Sequence, residues 1–500
     1  MEAFSHLLDG FAVALVPARI FYCFIGCLWG TLVGILPGIG PLGGIALLLP
    51  LTFKMDPASS IIMLSGIFYG AMYGGSTTSI LLNIPGEAAS IVTCLDGYQM
   101  ARKGRAGPAL VIAALGSFVG GTLSVLALML FAPPLANIML RIGPGEEFAL
   151  MVLALVVMSF VSSAPILKTL AMIFLGLMIA NVGLDPFTAT PRYTFGYTGF
   201  SEGIDFVPMA IGLFGVSEIL VNFENIGLVE VIKPRLRDLL PRWGDLKDSW
   251  LPILRGSAIG LFFGFVPGIS HIVSTFISYA VEKKLSRNPE EFGTGRIEGV
   301  AGPETANNAT TGTSLVPLLV LGIPAIPATA LLMSALMIHN VNPGPQLISD
   351  HPDVFWGLIA SMYMGNVMLV VLNVPLVGIF INFLRIPYIY LAPSILLISV
   401  VGVYGVNSNP VDIGLIAVFG LLGYLLRKFR FDLAPLVMAV VLGDKIEMSF
   451  RRALTISEGS LWIFATSSFS AVFLGAAALI LVLQLIAWLF GFRLRGQRGA

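Results

Sequence analysis

The chain has 500 residues, with 28 Lys+Arg balanced by 28 Asp+Glu, so 11% are charged, 56% are hydrophobic, and the net charge is zero. A soluble domain carries roughly 25% charged residues, so this composition excludes a soluble enzyme, a disordered chain and a nucleic-acid binder, which needs a basic patch. A polytopic membrane protein remains, in line with a mean hydropathy of +0.91.

The N-terminal stretch Met1–Ser5 holds no Lys or Arg, and the first apolar stretch runs on past Arg19. That is not the pattern of a cleaved signal, and Phe4–Val16 suits a short interfacial helix. Apolar stretches follow at about 20–36, 42–53, 59–73, 76–84, 108–132, 148–163, 166–183, 206–222, 251–266, 271–281, 314–338, 354–384, 387–403, 411–426, 433–443 and 461–490. A spanning helix needs about 20 residues. The shorter, Gly- and Pro-broken pieces at 42–53, 76–84, 271–281 and 433–443 therefore read as half-helices or re-entrant hairpins lining an internal cavity. The predicted fold is an all-α polytopic membrane protein of about 10–12 transmembrane helices, some broken or re-entrant, in two inverted repeats. The halves are 1–222 and 251–460, joined by a polar central loop over 223–250. A C-terminal helix and basic tail occupy 461–500.

The repeat is legible directly. Gly26, Gly30, Gly34, Pro37, Gly38 and Ile39 recur as Gly256, Gly260, Gly264, Pro267, Gly268 and Ile269, a constant offset of 230 (256−26). Ile84-Pro85 recurs as Ile323-Pro324 (offset 239), and Gly107-Pro108 as Gly344-Pro345 (offset 237). Basic residues sit in opposite segments of the two halves. Arg102, Lys103 and Arg105 follow Pro85, whereas Lys283, Lys284, Arg287 and Arg296 precede Pro324. Since basic loops face the cytoplasm, equivalent loops lie on opposite sides, which is the inverted arrangement of secondary transporters.

Two polar runs lie between these landmarks: Gly74-Gly75-Ser76-Thr77-Thr78-Ser79, and Asn307-Asn308-Ala309-Thr310-Thr311-Gly312-Thr313-Ser314. Each is read as preceding an apolar helix, with backbone N–H groups and the positive end of the helix dipole facing a cavity, an arrangement suited to a carboxylate. Ser76, Thr77, Thr78, Ser79 and Asn83 are the candidate substrate ligands on one side; Asn307, Asn308, Thr310, Thr311 and Thr313 are those on the other. The Pro-Gly turns free backbone carbonyls, so Pro37, Gly38, Pro267 and Gly268 are candidates for holding a coupling cation. Glu87, Asp96, Glu298 and Glu304 are the ionisable residues near the runs. Glu218 stands in an apolar stretch close to the central loop, at the expected membrane edge. Ser/Thr capping and ordinary helix packing are the competing structural roles.

Enzymatic readings are weak. Ser270-His271 supplies the residue types of a serine hydrolase, but they are sequence neighbours, and the first-half counterparts are Gly40 and Pro41. The repeated feature is therefore the turn. Neither HExxH nor a Walker A motif is present. Cys23, Cys27 and Cys94 lack disulfide or zinc spacing. An intramembrane hydrolase and a channel or scaffold stand as the rival functions.

Gly34–Phe53, Tyr73–Leu110, Phe292–Thr329 and Asn342–Leu347 together resemble the large membrane subunit of the tripartite tricarboxylate transporters, the TctA family. The likeness runs over nearly the whole chain. It departs at Pro324-Ala325, where Pro-Gly is more usual, and at Ser270-His271, where small residues are usual. The resemblance implies a bacterial inner-membrane secondary transporter, not an enzyme. It further implies a small TctB-like membrane subunit, a periplasmic TctC-like solute-binding protein, and import of citrate-like di- or tricarboxylates with Na⁺ or H⁺. No cofactor is implied beyond Na⁺ as a coupling ion, and no nucleic acid.

Overall fold

The computed structural model describes residues 2–36, 40–162, 164–224, 239–267, 271–383 and 409–489, together with 393, 394, 396, 397, 400, 401, 403 and 404. Pro37, Gly38, Gly268 and Ser270 lie outside the described residues; Pro267 is described and half-buried. The architecture is helical, as expected. A single pair of two-residue strands, β1 (Gly183–Leu184) and β2 (Pro191–Arg192), is found among the described residues.

The first half holds α1 (Glu2–Ala14), α2 (Pro17–Ile35), α3 (Gly40–Leu48), α4 (Pro57–Leu82), α5 (Ile91–Arg102), α6 (Ala106–Met139), α7 (Pro144–Val161), α8 (Ile166–Ala180), α9 (Phe206–Ala210) and α10 (Ser217–Phe223). The second holds α11 (Trp243–Gly264), α12 (His271–Leu285), α13 (Glu298–Thr313), α14 (Pro327–Ile338), α15 (Leu347–Asp350), α16 (Pro352–Asn373), α17 (Val377–Phe383), α18 (Pro410–Lys428) and α19 (Ala434–Ile456), followed by α20 (Ile463–Thr466) and α21 (Ser468–Leu489). Among the described residues, five helices are long and apolar enough to cross a membrane: α2, α6, α16, α18 and the Ser468–Ile486 part of α21. Shorter apolar helices add Gly40–Lys54, Ile166–Ala180, Phe206–Val221 and Pro327–Ile338. α11 begins at Trp243, inside the segment expected to be polar loop.

Two of the expected short pieces belong to longer helices. Residues 76–82 complete the 26-residue α4, which ends ahead of Asn83, and 434–443 open the 23-residue α19. Apolarity alone hides α4 because residues 74–79 within it are Gly, Ser and Thr. Those residues are admissible because every residue from Ala58 to Leu82 is buried, so no face of this stretch meets lipid.

The glycine stripes explain the core of each half. A Cβ on Gly30 would stand 2.8 Å from the Ile67 Cα, and one on Gly34 would stand 2.8 Å from the Ala71 Cα. In the second half, a Cβ on Gly260 would stand 3.0 Å from the Ala306 Cα, and one on Gly256 would stand 3.2 Å from the Gly302 Cα. These distances leave room only for hydrogen, so α2 packs backbone-to-backbone on α4, and α11 on α13, in parallel pairs. The return between the first pair is the apolar segment Gly40–Lys54.

The packing also sets the repeat register. Ile67 and Ala306 occupy the same place, an offset of 239 (306−67), the same as between Ile84-Pro85 and Ile323-Pro324. Asn83 (φ 58°) and Gly322 (φ 64°) both end their helical segments in the left-handed conformation ahead of Ile-Pro. Ser90 Oγ accepts from the Glu87 N–H at 3.4 Å, and Thr329 Oγ1 accepts from the Ile326 N–H at 3.1 Å, again 239 apart (329−90).

The two halves meet head to tail. Lys103, at the end of α5, donates to Thr294 O ahead of α13 at 2.6 Å. Reciprocally, His339, at the end of α14, shares a 2.8 Å hydrogen bond with Ser60 near the start of α4. Thus α4–α5 runs from the Ser60–His339 contact to the Lys103–Thr294 contact, while α13–α14 runs back, as an inverted repeat requires. Arg105 also pairs with Asp245, so the basic segments at 102–105, 242–247 and 283–296 gather at one end of the molecule. That is the segregation the positive-inside rule describes.

Candidate functional site

The centre of the molecule is the contact between α4 and α13. Both polar runs are buried there, Ser76 at 4% exposure, Asn308 at 3% and Glu304 at 1%. The expected helix-terminus geometry is not found. The runs lie within α4 and α13 rather than ahead of a helix, so their N–H groups belong to the helical ladder and do not face a ligand. The runs are also not repeat-equivalent. On the 239 offset Gly74 corresponds to Thr313, not Asn307, because the second half has nine more residues (239−230) between its Pro-Gly turn and the interior helix.

Several candidate hydroxyls are turned onto their own helices. Thr78 Oγ1 and Ser79 Oγ donate to Gly75 O, both at 3.0 Å. Thr310 Oγ1 donates to Ala306 O at 2.7 Å, Thr311 Oγ1 to Asn307 O at 2.9 Å, and Thr313 Oγ1 to Ala309 O at 2.7 Å. Back-bonding of this kind lets hydroxyls occupy a buried helix without an unpaired donor. Asn83 is exposed at the break and acts as the left-handed helix end.

Ser76, Thr77, Asn307 and Asn308 remain; Asn307 turns its Nδ2 to Glu87, and the structure brings the other three together. A cavity of about 10 Å³ is lined by Tyr73, Ser76 and Thr77 of α4, Ser117 and three apolar residues of α6, and Asn373 of α16. Asn308 Nδ2 donates to the same Ser117 Oγ at 2.7 Å, placing α13 behind that wall. The volume suits about one water.

Sequence reasoning did not single out Tyr73, Ser117, Asn366 or Asn373. Tyr73 donates to Asn366 Oδ1 at 2.5 Å, and Asn366 Nδ2 donates to Phe118 O at 2.8 Å and Thr122 Oγ1 at 2.9 Å. This satisfied amide ties α4, α6 and α16 together. Asn373 Nδ2 reaches Thr31 Oγ1 at 3.4 Å, but its Oδ1 is buried without a partner among the described residues. The available signal was the spacing: two amides seven residues apart (373−366) within an apolar helix share one face.

The four carboxylates near the runs, and Glu218, divide by role. Asp96 accepts the N–H groups of Gly293, Gly295 and Arg296 at 2.7–3.0 Å and the Tyr279 hydroxyl at 2.8 Å, so it anchors the loop before α13. Glu298 pairs with Arg296 at 2.6 Å. Glu218, expected at a membrane edge, pairs with Arg427. Glu304 accepts the Ser76 and Thr93 hydroxyls, one from each arm of the α4–α5 pair. Glu87, half-buried at the break, accepts Ala89 N–H at 2.8 Å and Asn307 Nδ2 at 2.9 Å. His271 stands at the start of α12 with its ring edge-on to Phe68 at 5.9 Å and a buried Nε2 that has no partner among the described residues.

Comparison with known proteins follows the same lines. The sequence profile of the "Tripartite tricarboxylate transporter TctA family" matches residues 20–438. The chain is 49% identical over 486 residues to an uncharacterized 52.8 kDa protein in the TAR-I ttuC' 3' region of Agrobacterium vitis, covering 97% of each chain. It is 47% identical over 227 residues to an uncharacterized protein in the TAR-II ttuC' 3' region of the same organism, covering 45% of this chain and 94% of that one. No solved structure matches.

Proposed function

Since the chain belongs to the tripartite tricarboxylate transporter TctA family, a multi-pass membrane family of transport subunits, we propose that it is the large permease subunit of a binding-protein-dependent importer of citrate-like carboxylates. The protein works in a bacterial inner membrane with a small membrane subunit and a periplasmic solute-binding protein, and it transports rather than catalyses. The observation that carries this reading is the α4–α13 contact, where hydroxyls and amides from both halves converge on one small interior cavity of mixed polar and apolar lining. Ser76, Thr77, Ser117, Asn308 and Asn373 supply neutral donors and acceptors, which orient an oxyanion without trapping it.

The cavity is too small for a carboxylate of citrate size, so substrate entry requires the α4 and α13 assemblies to part. Rocking of one parallel-pair unit against the other, around the inverted-repeat contact, opens the site to alternate sides. Coupling this movement to an inward cation gradient makes the importer a symporter.

The test is uptake of labelled citrate into vesicles containing this chain, its small subunit and its binding protein, with and without a Na⁺ gradient. Gradient-dependent accumulation supports the reading. Absence of uptake for every carboxylate the binding protein captures sinks it. Counter-flow by unlabelled internal substrate distinguishes a carrier from a channel.

A further inference from the structure

We infer that Glu304, Glu87 and the Asn307 amide form the binding site for one monovalent cation, H⁺ or Na⁺, at the junction of the two repeats. This inference rests on the transport reading for its use, since the cation it binds is the coupling ion. It places that ion at a site distinct from the Pro-Gly turns.

Three observations converge. Glu304 is 1% exposed, and the two groups it meets are neutral hydroxyls, Ser76 Oγ and Thr93 Oγ1. Glu87 likewise meets neutral donors, the Ala89 N–H and Asn307 Nδ2. Neither carboxylate takes part in an ion pair among the described residues. A carboxylate held in an interior without a positive partner is costly, and a bound cation removes the cost. The third observation is Asn307. It is 1% exposed, its Nδ2 is spent on Glu87, and its Oδ1 is a buried acceptor without a partner among the described residues.

The geometry gathers these groups. Glu304 and Asn307 are three residues apart on α13 and so share a face. Glu87 packs its side chain over Gly75, where a Cβ would stand 2.9 Å from Glu87 Cγ, while the next residue, Ser76, holds Glu304. Oxygen atoms from two carboxylates and one amide carbonyl are ligands of the kind a hard monovalent cation takes. A proton carried by either carboxyl finds an acceptor in the same set.

Several other ionisable groups on the surrounding helices have neighbours of their own. Tyr73 of α4 is bonded to Asn366. On α5, Asp96 is bonded to the 293–296 loop, and Cys94 lies 3.8 Å from Ser90 O. Arg255 of α11 pairs with Glu282 of α12, where Tyr279 is bonded to Asp96 and His271 packs on Phe68. α6 carries no ionisable side chain.

The test uses the purified full chain in detergent and needs no substrate. Thermal stability is measured as NaCl replaces choline chloride at fixed ionic strength, and the infrared band of protonated carboxyl is recorded at neutral pH. A Na⁺ site gives a saturable rise in Tm that Glu304→Gln and Asn307→Ala abolish. A proton site gives no Na⁺ response but a protonated-carboxyl band that Glu304→Gln removes. Thr93→Val, which deletes one hydroxyl from Glu304, shifts the Na⁺ half-saturation or the band even where the other variants do not fold. A wild-type chain with neither response overturns the site. Citrate uptake by the assembled transporter is scored separately. Uptake with neither response removes the cation site alone, and a cation response without uptake of any carboxylate removes the transport reading alone.

Discussion

Ser76 of α4 donates its hydroxyl to the carboxylate of Glu304 on α13, a bond between residues 228 apart in the chain. It joins the interior helix of one repeat to that of the other at the level of the cavity. Any motion that separates the repeats breaks this bond.

The hydroxyls of the two polar runs are expected to differ in consequence. Thr77 lines the cavity, whereas Thr311 is bonded to Asn307 O of its own helix. Thr77→Val is expected to lower labelled-carboxylate uptake about tenfold, the worth of about one hydrogen bond, with membrane expression unchanged. Thr311→Val should stay within about twofold of wild type. Equal effects in vesicle uptake would show that the cavity is not the substrate path.

The glycine stripes predict a structural failure. A side chain on Gly30 meets the α4 backbone at Ile67, so Gly30→Leu forces α2 and α4 apart. Overpacking of this kind costs about 1–3 kcal/mol and should lower the Tm of the purified protein. Gly475→Ala in α21 meets nothing within 4 Å and should leave Tm unchanged.

The left-handed breaks separate Asn83 from Gly322. Asn83→Gly keeps the positive φ available and should be tolerated. Gly322→Val places a β-branched residue at φ 64° and sets a Cβ 2.5 Å from Pro343 O. The conformation alone costs about 1–2 kcal/mol. Reduced yield of folded protein by size-exclusion profile is the expected result for Gly322→Val and not for Asn83→Gly.

Acid sensitivity should include the cap of α4. Burial raises the pKa of Asp56, but the Ser59 hydroxyl at 2.5 Å, the Ser59 N–H at 3.1 Å and Arg19 at 3.2 Å outweigh it and hold the carboxyl below its usual value. A lowered folded-state pKa contributes stability above the unfolded value, and this is lost as pH falls through the folded one. Asp56→Ala should lower Tm at neutral pH by the equivalent of about 1 kcal/mol, typical of a lost cap. The difference from wild type should shrink once the pH is below the folded value. A pH-independent difference would assign the loss to packing.

What the sequence disclosed follows from what its signals measure. Gly26, Gly30 and Gly34 recurred at a fixed interval in the second half, so the paired architecture could be read before any coordinates. The exchange of basic segments between halves disclosed the inversion, and Lys103–Thr294 with His339–Ser60 are its contacts. The register of the polar runs could not be read, because the segments preceding α4 and α13 differ by nine residues and composition does not report a shift. Nor does apolarity separate a helix facing lipid from one enclosed by protein, so it divides α4 and assigns its hydroxyls to a helix end. Glu304 was visible as a carboxylate near a polar run, but its meeting with Ser76 and Thr93 depends on tertiary packing.

The enclosure of α4 bears on how the protein is made. A helix with no lipid-facing side over Ala58–Leu82 gains little from the bilayer itself, and its Gly-, Ser- and Thr-rich end weakens its own partitioning. α2 leaves the ribosome first, presents the groove of Gly26, Gly30 and Gly34, and offers the backbone surface on which α4 is retained. Each polar helix is therefore expected to be retained in the membrane by the helix synthesised before it, so that the order of synthesis contributes to the fold.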